Sequence, residues 1–287
     1  MNIVSKLAIA VSFVGVAAIT PASSESLTEL ASKTHYHGLA FARGGTATLL
    51  LASHHGLFAL SKEGEATQVS PVQDYMGFSP DPANPLNYYA SGHPAGGGNS
   101  GFLKSLDGGA TWQQLSPGAG GPVDFLQMDV SPADPKTIYG NYGDLQISRD
   151  GGLTWTVAGA TPPDLIALAA SSIAADQLYA ATQQGLFISR DAGASWQLLN
   201  FKGEVVSTVE VGPDGSLFAF VLGQGLMKTG EAKPDAWQTL SNGFGNAIPL
   251  HLAVNPANFN DLALTTQENA VLESIDGGAN WTPFGKP

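Results

Sequence analysis

The octapeptide Ser105-Leu106-Asp107-Gly108-Gly109-Ala110-Thr111-Trp112 returns three times down the chain. It recurs as Ser148-Arg149-Asp150-Gly151-Gly152-Leu153-Thr154-Trp155, as Ser189-Arg190-Asp191-Ala192-Gly193-Ala194-Ser195-Trp196, and as Ser274-Ile275-Asp276-Gly277-Gly278-Ala279-Asn280-Trp281. Successive aspartates stand 43, 41 and 85 residues apart, the last being two periods. Trp237 falls in the gap, so all 5 tryptophans hold one repeat position. One period before Trp112 lies Gln68, at the end of the decayed copy Ser61-Lys62-Glu63-Gly64-Glu65-Ala66-Thr67-Gln68. The chain is therefore six copies of one unit with a period of roughly 42 residues, and units of that size must stack into a propeller or solenoid to bury their apolar faces.

Each copy reads as four short strands. In the third, the strands are Asp124 to Val130, Thr137 to Gly140, Asp144 to Ser148 and Thr154 to Val157, with a Pro- and Asp-rich turn at Ser131-Pro132-Ala133-Asp134-Pro135. Four strands per period predict an all-β, six-bladed β-propeller. Its blades span roughly 35–70, 74–117, 124–160, 164–200, 204–241 and 249–287, in one domain over 26–287. Leu27-Thr28-Glu29-Leu30 is expected to supply a closing strand against the last blade. Ala95-Gly96-Gly97-Gly98-Asn99-Ser100 is an insertion in blade 2.

The repeated phrase is similar to the Asp box of sialidases, sortilin-like receptors, two-domain xyloglucanases and photosystem II assembly factors. Physically it suits the turn between the third and fourth strands. The Asp carboxylate accepts backbone N–H groups across the turn, Gly supplies positive φ, and Trp offers a large area to bury between sheets. Such a motif specifies a fold rather than a chemistry.

Composition narrows the functional classes. A net charge of −12 with 12 Lys and Arg argues against nucleic acid as a partner. Residues 1–25 read as a secretory signal peptide, with Lys6 ahead of the apolar run Leu7 to Ile19 and small residues at Thr20 to Ser24. A periplasmic or secreted location is expected, without membrane insertion. The absence of cysteine excludes disulfides and thiolate metal sites.

In a propeller the start of each inner strand and the end of each second strand meet on one face. His35, His37 and His251 fall at inner-strand starts, and His54, His55 and His93 at second-strand ends. All six histidines thus map to one mouth of the channel, on blades 1, 2 and 6. Asp74 and Met76 open blade 2 there, and Met128 aligns with His37. Imidazole, thioether and carboxylate without thiolate make a candidate transition-metal site, copper first and zinc second. A small polar ligand or sugar is the alternative occupant, and purely structural histidines are a third reading.

The motifs His37-Gly38-Leu39, His54-His55-Gly56-Leu57-Phe58, Met76-Gly77-Phe78 and Ser91-Gly92-His93-Pro94 resemble a group of secreted bacterial propellers labelled glycosyl hydrolase or sialidase-like. That resemblance implies a six-bladed propeller and an inherited enzyme label. A sialidase needs an arginine triad for its substrate carboxylate. The chain has Arg43, Arg149 and Arg190, two of them inside the repeated turns, so sialidase activity is disfavoured. A glycosidase needs two carboxyl groups; Asp74 and Glu268 are the pair expected, with Asp129, Asp144 and Asp164 also near the channel. The reading is of a binding protein with a His37, His54, His55 and His93 centre, flanked by His35, His251, Met76 and Asp74. A carbohydrate-active propeller comes second and a protein-interaction scaffold third.

Overall fold

The computed structural model describes residues 24–46 and 48–285. Six antiparallel sheets form a ring, each with four strands hydrogen-bonded in chain order from the channel outward, and blade 1 carries a fifth strand at its outer edge. The inner strands are Tyr36–Phe41, Met76–Pro80, Gln127–Val130, Leu165–Ala170, Val206–Val211 and Pro249–Val254. Each packs on the next, and the sixth packs on the first. The fold is a six-bladed β-propeller, as the repeat predicts.

Side chains alternate along each strand, so every blade shows an apolar face to both neighbours. Between blades 2 and 3, Tyr89, Phe102, Phe125, Met128 and Trp155 form one cluster. Phe102 and Phe125 are fully buried, each worth about 1.5–3 kcal/mol relative to exposure.

The repeated phrase closes the turn from third to fourth strand. Ser148 Oγ accepts Gly152 N–H at 2.8 Å, and Asp150 Oδ1 accepts Thr154 N–H at 2.9 Å while Oδ2 takes the Thr154 hydroxyl at 2.7 Å. Backbone and hydroxyl donation from Thr154 holds Asp150 down at about 2. Gly152 sits at φ 90°, and a Cβ there would lie 2.0 Å from the Phe102 ring of the preceding blade. Glycine is thus demanded both by φ and by contact between blades. The same bonds recur at Asp107, Asp191 and Asp276. Each of these four turns also donates a backbone N–H to the first-to-second-strand loop of its own blade, for example Gly151 to Lys136. They lie on the face opposite the predicted histidine mouth.

Blade 5 departs from this pattern. Its third and fourth strands, Gly225–Gly230 and Lys233–Ser241, are longer and meet in a tight turn. Trp237 keeps its place against Phe201, but its buried Nε1 has no acceptor. In the phrase-bearing blades 2, 3 and 6, Trp112, Trp155 and Trp281 each donate to the carbonyl of the motif's second glycine.

The chain start corrects one expectation. Leu27–Lys33 is an α-helix, capped by Ser26 and Glu29 in reciprocal hydrogen bonds, with Leu30 buried. The preceding strand Ser24–Ser26 pairs with Glu65–Thr67 at the outer edge of blade 1, not with the last blade. Ser24 and Glu25, read as the end of the leader, are part of this sheet; residues 1–23 lie outside the described residues. Blade 6 completes its own four strands, ending at Thr282–Pro283. Among the described residues no strand is exchanged at the seam. Blades 1 and 6 are joined by packing, with Leu30, Leu39, Leu51, Ala253, Val271 and Phe284 in one cluster.

Candidate metal centre

Local structure explains how three of the eight predicted residues converge. His54 and His55 are the two central residues of the hairpin Ser53–Gly56. Ser53 Oγ fastens that turn, donating to Gly56 O and accepting His55 N–H. His37 occupies the register shift between the Tyr36–Ser53 and Gly38–Ala52 pairs. A bulge of this kind re-aims a side chain, here toward His54. Asp74 is held by its N–H to His93 O, while Tyr75 N–H crosses to Ser53 O of blade 1. The approach is so close that a Cβ on Gly92 would sit 2.2 Å from Asp74 O.

The resulting donors are His37 Nε2, His54 Nδ1 and the Asp74 carboxylate, all within 4.8 Å of one another. His37 Nε2 lies 3.1 Å from His54 Nδ1 and 3.6 Å from Asp74 Oδ1, and His54 Nδ1 lies 2.9 Å from Asp74 Oδ2. Asp74 Oδ1 is buried without a hydrogen-bond partner. Burial presses the His37 pKa down to about 4 against the pull of Asp74, and His54, His251 and His35 add to the lowering. His37 is therefore a neutral imidazole near neutral pH, the form that ligates metals. A His/His/Asp set of this geometry can hold a metal ion.

The other predicted ligands have different surroundings. His93 Nε2 is 2.8 Å from Asp124 Oδ2, and its Nδ1 is 2.9 Å from Gly98 O. It faces acceptors on both sides, and the Gly98 carbonyl first and Asp124 further down raise its pKa above the ordinary histidine value. His251 Nε2 donates to Tyr36 O at 3.3 Å, and burial lowers its pKa to about 4. His35 is exposed, edge-on to His54 at 6.1 Å and 3.5 Å from Asn269 Nδ2. His55 is exposed. Met76 is half-buried, and Met128 lies two residues deeper than expected, buried between blades 2 and 3. The slip arises because strand register is set by pairing, Met128 to Gly140, rather than by distance from the repeated phrase.

Among the carboxylates, Glu268 is exposed in the blade-6 hairpin, and Asp164 accepts Gln184 Nε2 at 2.7 Å. Asp129 is fastened by Ser79, Val130 N–H and Ala170 N–H, linking three blades. Arg43 is spent on the carbonyls of Asp81, Pro82 and Asn84, and Arg149 on Asp176. Two functional-looking groups escaped the sequence: Asp124, whose Oδ1 is buried without a partner, and Glu210, which lines the channel. Glu210 was legible only as a carboxylate interrupting the apolar strand Val206–Val211.

No protein-family model matches the chain, and no curated protein resembles it in sequence. Solved structures do share its fold. A GH74 enzyme from Niastella koreensis superposes with a TM-score of 0.60 at 18% identity, over 87% of this chain and 45% of that one. A YCF48 structure bound to D1 peptide gives 0.55 at 18% identity, over 92% and 85%. A gluconolactonase from Xanthomonas campestris gives 0.61 at 12% identity, over 82% and 84%. The chain spans less than half the length of the GH74 enzymes it matches. At these identities the likeness establishes a β-propeller architecture and nothing about activity.

Proposed function

We propose that the protein is a periplasmic or secreted metal-binding propeller whose centre is His37, His54 and Asp74. The observation that carries the reading is the convergence of the three donors around the orphaned Asp74 Oδ1. Bonds of about 2.0–2.1 Å to a tetrahedral ion place neighbouring donors about 3.3 Å apart. The separations of 2.9, 3.1 and 3.6 Å bracket that value. Two imidazoles and one carboxylate leave a fourth position open, a donor set that suits Zn²⁺ and also Cu²⁺. Copper was favoured in the sequence by methionine sulfur; with no sulfur in the converging set, Zn²⁺ moves ahead of it.

The chain's own groups define what the centre does. His37 is held neutral for ligation, His54 is exposed for entry of the ion from solvent, and Asp74 supplies the compensating charge. The glycosidase alternative needs Asp74 and Glu268 to flank a substrate bond, whereas Asp74 is engaged by two histidines and Glu268 is exposed in another blade. Calorimetric titration of untagged protein with Zn²⁺ and Cu²⁺ tests the reading. About one equivalent is expected at neutral pH, lost in His54→Ala and Asp74→Asn. Uptake below about 0.1 equivalent, or uptake indifferent to both substitutions, overturns it.

A further inference from the structure

Below the mouth, the inner strands place one residue per blade at a common depth. The pairing registers make these Ala40, Ser79, Asp129, Ala169, Glu210 and Ala253. Four are small, and the remaining two are carboxylates on blades 3 and 5, with only Ala169 of blade 4 between them. Both line a central cavity of about 240 Å³. At about 30 Å³ per water, that space admits an ion together with part of its hydration shell.

The two carboxylates are unequally supplied with partners. Asp129 receives three protein donors and keeps a free lone pair on Oδ2, which otherwise takes only Ala170 N–H at 2.8 Å. Glu210 is closed off from the outer surface, and its remaining exposure is to the cavity. Among the described residues no side chain or backbone N–H donates to it, and no cation pairs with it. Arg43, the cationic residue lining this cavity, is committed to three carbonyls at its far end. A channel-facing carboxylate without protein donors is left to water, a proton or a cation.

We propose that this mid-channel level binds a hard divalent cation, with the Glu210 carboxylate as principal ligand, Asp129 Oδ2 as the second and water completing the shell. The all-oxygen donor set selects Ca²⁺, Mg²⁺ or Mn²⁺ rather than the softer ions suited to the nitrogen-rich mouth. Thr208, two residues before Glu210 on the same side of the strand, adds a hydroxyl to the lining. Burial, and then Asp129, raise the Glu210 pKa, so a proton competes with the cation for this carboxylate.

Mn²⁺ is the probe, followed by electron paramagnetic resonance and by thermal stability in a His37→Ala/His54→Ala variant, where the mouth centre is gone. About one equivalent of bound Mn²⁺ and a cation-dependent rise in Tm are expected there. Adding Glu210→Gln, which leaves no hydrogen bond broken, is expected to weaken Mn²⁺ binding at least about tenfold and abolish the rise in Tm. His54→Ala alone gives the same comparison should the double variant lose its fold. No Mn²⁺ uptake in the histidine variants, or uptake unmoved by Glu210→Gln, overturns the proposal. Either outcome is independent of whether wild-type protein takes Zn²⁺ at the mouth.

Discussion

The two faces of the wheel carry acidic residues in opposite conditions. At the repeated turns Asp107, Asp150, Asp191 and Asp276 each accept a backbone N–H and a side-chain donor four residues on. At the opposite mouth Asp74 and Asp124 each keep one buried oxygen without a partner, and so does Asn141 nearby in blade 3. Buried polar atoms are nearly always satisfied, so two orphaned carboxylate oxygens at one mouth single it out as a candidate site, which the lone orphan Trp237 Nε1 in the packing of blade 5 does not do. The repeated aspartates are the more numerous, and they are the less chemical.

That contrast can be broken first at the mouth. Asp74→Ala removes the one carboxylate of the three donors. Because loss of a supporting residue already costs 10–100-fold in metal affinity, loss of this ligand is expected to cost at least about 100-fold in calorimetric Kd. Tm without metal is expected to hold or rise, since an orphaned buried oxygen goes with it. On the scaffold face the effects reverse. Ser148→Ala strands the buried Gly152 N–H and removes one of the donors to the Asp150 carboxylate, an expected cost of about 1–3 kcal/mol in urea unfolding with Zn²⁺ stoichiometry unchanged.

Acid sharpens the comparison further. His37 and His251 have pKa values of about 4 in the fold, below the ordinary 6.5. Their neutral forms therefore support the fold fully above about pH 6.5, and that support is lost as pH falls toward 4. His251→Gln is expected to flatten the fall in Tm between pH 7 and pH 5; an unchanged slope would assign the acid sensitivity to other groups. The smallest effect belongs to blade 5. Trp237 Nε1 has no acceptor, so Trp237→Phe is expected to cost about 1–2 kcal/mol less than the same change at Trp155. Trp155→Phe gives up bonds to Ser116 Oγ and Gly152 O, about 1–2 kcal/mol.

The repeat made the fold legible because a period of one blade constrains every strand at once. The mouth was legible in part. His37, His54 and Asp74 share a face for reasons of strand phase, which the repeated phrase supplies. What phase does not supply is the partner of each side chain. His93 lies on the expected face yet turns to Asp124, and His251 lies one register level deeper, bonded to Tyr36 O. Glu210 was passed over because a single carboxylate in a valine-rich strand looks like a solvated position until the ring encloses it. Leu27 to Leu30, expected as a closing strand from its place before the first blade, opens the helix Leu27–Lys33, and Ser26 and Glu29 have the spacing of a capping box.

The seam between blades 1 and 6 has a consequence in time. Leu39 and Phe284, which pack in the same cluster, are separated by 245 positions. Contacts of such sequence separation are the slowest in a chain to form. Until they form, the apolar flank of blade 1 has no covering blade, and among the described residues no exchanged strand ties the two ends together. The helix Leu27–Lys33, whose Leu30 sits in that cluster, is the part of its cover that lies next to blade 1 in sequence.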